Sequence, residues 1–101
     1  MAAIYITEFN KLGWVGPGDS YVPAPAAPGV AEQTVAIGGT STQSAAFNTL
    51  TRYVMINTDS ICSLAFGSNP TAVTTAHRMD ASTTRFYVVT AGQKVAVISN
   101  T

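Results

Sequence analysis

Hydrophobic and polar residues alternate with a period of two over most of the chain. The pattern is strongest in two short apolar runs, residues 52–57 and 61–66, which the turn-prone Thr58-Asp59-Ser60 separates. In the first run, Val54 and Ile56 point to one side of an extended backbone and the intervening residues point to the other. A period of two with β-branched and aromatic residues predicts that these runs form a β-hairpin.

The same alternation predicts further strands at residues 3–9, 32–38, 84–90 and 94–99, and weaker ones at 43–47 and 77–80. No segment shows the 3.6-residue period of a helix. About seven short strands with turn residues between them predict an all-β fold, an antiparallel β-sandwich or a jelly-roll-like barrel. The residues predicted to contribute most to its core are Val54, Ile56, Leu64, Phe66, Phe86, Val88 and Val95.

Residues 16–29, GPGDSYVPAPAAPG, interrupt the alternation with four prolines. Proline cannot donate to a β-ladder and favours an extended backbone, so this segment is either a flexible linker or an extended Pro/Ala-rich arm that lies on another surface. The large apolar side chains here favour the arm, because a linker has no need of them. The candidate partner-binding residues are Trp14, Tyr21, Val22, Pro23, Pro25 and Pro28.

This pattern divides one structural domain into an N-terminal strand and arm, residues 1–32, and a β-sandwich domain, residues 33–101. With 101 residues, the chain has no room for a second independent core.

Charge is scarce in this sequence. Five basic and five acidic residues cancel, and only 10% of residues are charged, against about 25% in soluble domains. A nucleic-acid partner or an anionic membrane would call for a basic excess, so neither is expected. Two interpretations of the low charge stay open: a surface wetted by Ser and Thr, or a surface that neighbouring molecules cover.

The cysteine count and the N-terminus bear on location. Cys62 is the only cysteine, so no intrachain disulfide can form, and its place in an apolar strand predicts a buried, unreactive thiol. The opening residues lack the basic and long apolar regions of a signal peptide, and no apolar run reaches the roughly 20 residues that span a bilayer. Synthesis in a reducing cytoplasm is the expectation.

No constellation for catalysis stands out in the sequence. His77 is the single histidine, and no serine lies in a nucleophile-elbow motif. One histidine, one cysteine and five scattered carboxylates do not follow the spacing of a zinc or calcium site. We therefore expect no enzyme activity, no cofactor and no metal.

Several short motifs resemble those of the capsid decoration (cement) proteins of tailed bacteriophages. They are Ser-Ala-Ala-Phe at 44–47, an Arg-aromatic-Val strand at 52–56, Cys-x-x-Ala-Phe-Gly-x-x-Pro-x-Ala at 62–72 and Gly-x-Lys-Val-Ala-Val-Ile at 92–98. The opening MAAIYITEF, followed by a Pro/Ala arm, is similar too. The motifs describe strand ends and turns rather than a binding site.

The resemblance implies a jelly-roll-like β domain on the outside of the capsid of a virion, made in the host cytoplasm. It implies the major capsid protein as partner, with further copies of the chain as a homo-oligomer. Two rivals remain: a head–tail or tail-associated structural module, and a carbohydrate-binding β-sandwich that would use Trp14, Tyr21 or Tyr87 as stacking platforms.

Overall fold

The computed structural model describes residues 2–15, 20–25 and 28–100, and for residues 12–15 and 20–25 it describes the backbone. Ten strands form within these residues: β1 (Ala3–Phe9), β2 (Leu12–Val15), β3 (Ser20–Pro25), β4 (Ala31–Ala36), β5 (Thr42–Gln43), β6 (Tyr53–Thr58), β7 (Cys62–Gly67), β8 (His77–Met79), β9 (Thr83–Val88) and β10 (Lys94–Ser99).

Eight of the strands form two antiparallel sheets that pack as a sandwich. The first sheet has the order β4-β1-β6-β9, and the second has the order β5-β10-β7-β8. β2 and β3 pair only with each other in a separate two-stranded sheet. The prediction of an all-β antiparallel sandwich is confirmed. Over the described residues the two sheets stay separate and do not close into a barrel.

The predicted hairpin between residues 52–57 and 61–66 is wrong. β6 lies in the first sheet between β1 and β9, whereas β7 lies in the second sheet between β10 and β8. Residues 59–61 therefore cross from one sheet to the other. Alternation fixes which residues share a face of a strand, but it does not fix which strand lies alongside. Two consecutive strands therefore show the same pattern whether they pair in one sheet or lie in opposite sheets.

The core lies between the sheets and is built mainly from alternate residues of the inner strands, with Met79 added from the edge strand β8. The first sheet contributes Ile4, Ile6, Val54 and Ile56, and the second contributes Cys62, Leu64, Met79, Val95 and Val97. Each of these side chains is at most 1% exposed. Burial of one such aliphatic side chain stabilises the fold by about 1.5–3 kcal/mol. Val54, Ile56, Leu64 and Val95 are confirmed as core residues.

The other three predicted core residues are not buried. Phe66 is 37% exposed, Phe86 53% and Val88 91%. In β9 the register places Tyr87 beside Val54, so Tyr87 shares the inward face and Phe86 and Val88 point outward. Both faces of this strand carry large apolar residues, and the alternation alone does not say which one faces inward.

β1 is an inner strand of the first sheet, with β4 on one side and β6 on the other. β4 runs across the predicted division between residues 32 and 33. The division into residues 1–32 and 33–101 stays a prediction.

Candidate interaction surface

The side of the first sheet that points away from the core carries a row of apolar side chains. Because Ile4 and Val54 point inward, their neighbours Tyr5 and Tyr53 point outward. Register extends this alternation across three strands, with Phe9 beside Tyr53 and Tyr53 beside Val88. One step along, Thr7 lies beside Met55 and Met55 beside Phe86. We call the surface formed by Tyr5, Phe9, Tyr53, Met55, Phe86 and Val88 the outer apolar face.

The exposed part of the outer apolar face lies mainly on β9 and β1. Val88 is almost fully accessible, and Phe86 and Tyr5 are about half accessible. Phe9 is buried, since its ring stacks on Tyr53 with the centroids 5.4 Å apart. Monomeric proteins rarely leave contiguous apolar groups of this kind uncovered unless the groups contact a partner.

Neutral polar groups border this face. A shallow groove of about 310 Å³ runs along β1 and β4 and is lined by Tyr5, Ile6, Thr7, Glu32, Gln33 and Thr34. On the other side, the Asn57 amide donates a hydrogen bond of 2.7 Å to the Thr84 hydroxyl. Among the described strand residues that point outward from the first sheet, only Glu32 is charged.

The outward side of the second sheet is covered by the chain itself. Residues 70–76 lie over it, and Ser63 and Ala96, which point outward, are fully buried. Asn100 Nδ2 donates to Ser63 Oγ at 2.7 Å and to the Thr74 carbonyl at 3.1 Å. The amide of Ala72 donates to Ser41 Oγ at 2.8 Å. These bonds fix residues 70–76 as a cover over the second sheet, and the first sheet has no counterpart to it among the described residues.

The segment that contains β2 and β3, residues 12–28, leaves the sandwich after β1 and returns beside it. On the way out, the Tyr53 hydroxyl donates a hydrogen bond of 2.8 Å to the Lys11 carbonyl. On the return, the Val30 amide donates to the Glu8 carbonyl at 2.6 Å. A Cβ atom at Gly29 would lie 2.7 Å from that same carbonyl oxygen, so only glycine fits there. The outgoing end of the segment is therefore fixed on β6 and the returning end on β1.

The base of this segment, where its two ends meet the sandwich, is held together by the buried side chain of Glu8. Glu8 Oε1 accepts hydrogen bonds from the Asn48 amide at 2.8 Å and the Thr51 hydroxyl at 2.7 Å. Oε2 accepts one from Gln33 Nε2 at 3.1 Å. A buried carboxylate without a cationic partner is stable only when such donors replace water. Glu8 thus joins β1, β4 and the loop before β6.

Of the predicted partner-binding residues, five lie in β2 and β3. The backbone register pairs Trp14 with Tyr21, Gly13 with Val22 and Leu12 with Pro25, and Pro23 also belongs to β3. The side chains of Trp14, Tyr21, Val22, Pro23 and Pro25 lie outside the described part, and Pro28 is exposed. Their role in binding stays a prediction.

The dimensions of the molecule show that the β2–β3 pair extends from the sandwich. The principal extents are 49, 26 and 21 Å. The longest sandwich strand has seven residues, which at about 3.4 Å per residue span roughly 24 Å. A projecting β2–β3 pair accounts for the additional length.

Cys62 and His77 lie in different environments. Cys62 is fully buried, as predicted, and desolvation raises the pKa of its thiol, while hydrogen bonding with Thr58 Oγ1, 3.6 Å away, lowers the pKa to a smaller extent. His77 is exposed, and its Nε2 lies 2.6 Å from the Tyr87 hydroxyl. Burial also raises the pKa of Tyr87. In the residues that the structure describes, no three His, Cys, Asp or Glu side chains come together where they could hold a metal ion.

The outer apolar face was missed by the sequence prediction, although a signal for it was present. In residues 84–90, Phe86 and Val88 lie on one face and Arg85, Tyr87 and Val89 on the other, so both faces carry large apolar residues. One core can bury only one of the two faces. An edge strand that is apolar on both sides therefore indicates a surface that contacts something else.

No protein-family model, curated protein or solved structure matches this chain. Over the described ranges, there is no helix long and apolar enough to cross a membrane.

Proposed function

We propose that this protein is a non-enzymatic structural component of a bacteriophage virion, which binds the outside of the capsid and stabilises contacts between major capsid protein subunits. The observation that carries the proposal is the β2–β3 pair, which projects from a compact sandwich and has its two ends fixed on β6 and β1. A projecting element with a rigid base can reach a neighbouring capsid subunit while the sandwich stays bound to the first subunit.

The order of the strands supports a jelly-roll arrangement. From β4 to β10 the strands are distributed between the sheets as the first seven strands of an eight-stranded jelly roll are, and β1 takes the position of the eighth. Jelly rolls are common in viral capsid proteins, but they also occur in lectins and cupins. The arrangement is therefore compatible with the proposal and does not by itself select it.

The composition agrees with a role in assembly. The formal net charge is zero, and outward-pointing strand residues of the first sheet include a single charged group. Contacts of this surface would rest on apolar groups and neutral hydrogen bonds, and their strength would vary little with salt. The carbohydrate-binding alternative loses one of its platforms, since Tyr87 packs against Phe66 at 5.1 Å between ring centroids and bonds to His77.

The test is to replace residues 12–28 by a short Gly-Ser turn and to measure occupancy on purified, expanded capsids of the phage that carries the gene. Gly29 and Val30 are kept because they hold the return of the chain on β1. We expect the sandwich to keep its β-type circular dichroism and the occupancy to fall to background.

The matched point variants are Trp14→Ser with Tyr21→Ser in the arm and Val73→Ser outside it, where Val73 is an exposed apolar residue. The arm variant should weaken binding and the Val73 variant should not. Unchanged occupancy after the arm is replaced would overturn the proposed function of the arm. Binding to isolated tails instead of heads would favour the tail-associated alternative.

A further inference from the structure

We infer that the outer apolar face is a self-association surface, on which the same face of a second copy of this chain packs about a twofold axis. The inference goes beyond the proposed function and does not depend on it, because it concerns the purified protein without a capsid.

The first step is that, within the described ranges, the chain covers the second sheet and leaves the first sheet open. Residues 70–76 bury Ser63 and Ala96 on the outward side of the second sheet. On the first sheet, Phe86 and Val88 remain 53% and 91% exposed. The described residues of this chain leave these two side chains uncovered, and we assign their cover to another molecule.

The second step concerns area. Four strands about 4.8 Å apart and roughly 20 Å long present some 400 Å² in flat projection, and protruding side chains add to the accessible area. A standard protein interface buries about 800 Å² on each partner. The flat projection is about half of that value, before the protruding side chains of the outer apolar face and of its border, Thr7, Thr34, Asn57 and Thr84, are counted.

The third step identifies the occupant. Recognition of a different protein generally uses complementary charge, and this face offers one carboxylate, Glu32. Its polar border consists of hydroxyl and amide groups, which donate and accept hydrogen bonds alike. Such groups can pair with copies of themselves, whereas carboxylates or ammonium groups cannot. The face is therefore self-complementary, as an isologous interface requires.

The position of Glu32 agrees with twofold packing. Glu32 is on β4 at one edge of the sheet, and Phe86 and Val88 are on β9 at the other edge. With the axis near Met55 and Phe86, the two copies of Glu32 lie at opposite margins of the interface. Like charges then do not meet, and the apolar rows face each other.

The experiment uses two charge variants of one exposed residue, Phe86→Lys and Phe86→Glu. Each is analysed by sedimentation velocity at ~100 µM, where an interface with a micromolar Kd is close to saturation. We expect the unaltered protein to be a dimer and each variant alone to be a monomer, with Kd raised on the order of 100-fold or more. A mixture of the two variants should form dimers again, because opposite charges then meet near the axis.

Controls separate folding from association. Thermal unfolding of both variants should resemble that of the unaltered protein, since Phe86 does not belong to the core. Val73→Lys places the same charge on an exposed apolar residue outside the first sheet and should leave the dimer intact.

Three results would overturn the inference. An unaltered protein that stays monomeric shows that the face does not self-associate. Variants that remain dimeric alone place the interface elsewhere. A mixture that stays monomeric excludes twofold packing through Phe86. Loss of capsid occupancy by a protein that is monomeric throughout would assign the face to a capsid subunit instead.

Discussion

The two sheets of the sandwich have similar inward sides and different outward sides. On the second sheet, a segment of the same chain bonds to Ser63 and hides it from water. On the first sheet, apolar side chains of β1, β6 and β9 form a row that remains partly exposed. An apolar strand face can be buried within its own chain or between chains, and in the described part of this protein the second sheet alone is covered by its own chain.

The largest expected difference is between the inward and outward sides of the sandwich. Leu64→Ala removes a side chain that is 1% exposed and should lower the free energy of unfolding by about 2–5 kcal/mol. Phe86→Ala removes a half-exposed ring and should cost about 0.5 kcal/mol or less in the monomer. Urea unfolding in dilute solution measures both. Equal costs for the two variants would mean that Phe86 is buried within its own chain.

The base of the arm should also be sensitive. Glu8→Ala leaves the Asn48 amide and the Thr51 hydroxyl without an acceptor in a buried site, so we expect a loss of about 2–4 kcal/mol. Glu8→Gln keeps one acceptor oxygen and should cost less. Thermal unfolding, followed by the β-sheet signal in circular dichroism, ranks the stabilities of the unaltered protein and the two variants. A Glu8→Ala variant as stable as the unaltered protein would contradict the proposed role of Glu8 in holding the base.

One asparagine on each outward side provides a matched pair. Asn100→Ala removes bonds to Ser63 and to the Thr74 carbonyl that hold the cover, with an expected cost of about 1–2 kcal/mol. Asn57→Ala removes one exposed bond to Thr84 and should change the stability by about 0.5 kcal/mol or less. Hydrogen exchange of residues 70–76 should rise only in the Asn100 variant. A rise in both variants, or in neither, would remove the contrast between the two sides.

The last prediction concerns the reactivity of Cys62 and involves no change in the stability of the protein. Burial raises the pKa of the thiol, so near neutral pH less thiolate is present than on a free cysteine, and no reagent reaches it in the folded state. Labelling should be ~10³-fold slower or more than in denatured protein. Leu64→Ala should accelerate it by favouring opening of the fold. Fast stoichiometric labelling of the native protein would show that the thiol is accessible.

The sequence predicted most strands but not how they are paired. β1 has the predicted bounds, residues 3–9, because Ile4 and Ile6 alternate with polar neighbours. The assumed hairpin of β6 and β7 failed because a three-residue connection can turn within a sheet or cross between sheets. That choice depends on contacts with β1, β9 and β10, which are distant in sequence.

The candidate surface was predictable only in part. The large apolar residues of the arm were proposed from composition, because they stand among prolines, and their role in binding stays a prediction. Two residues of the outer apolar face, Phe86 and Val88, were assigned to the core instead, since the alternation in β9 fits either orientation. Register with Val54 decides the orientation by placing Tyr87 inside, and register is a tertiary property.

The most direct test of the account is hydroxyl-radical footprinting of Phe86 in the intact protein over a range of concentrations. The account predicts fast oxidation of this ring in dilute protein and protection on concentration, with a midpoint that matches the Kd from sedimentation. Met79, which is buried in the core, should stay protected throughout. Protection of Phe86 in the dilute monomer would contradict the exposed face, and oxidation that does not change with concentration would contradict its pairing with a second copy.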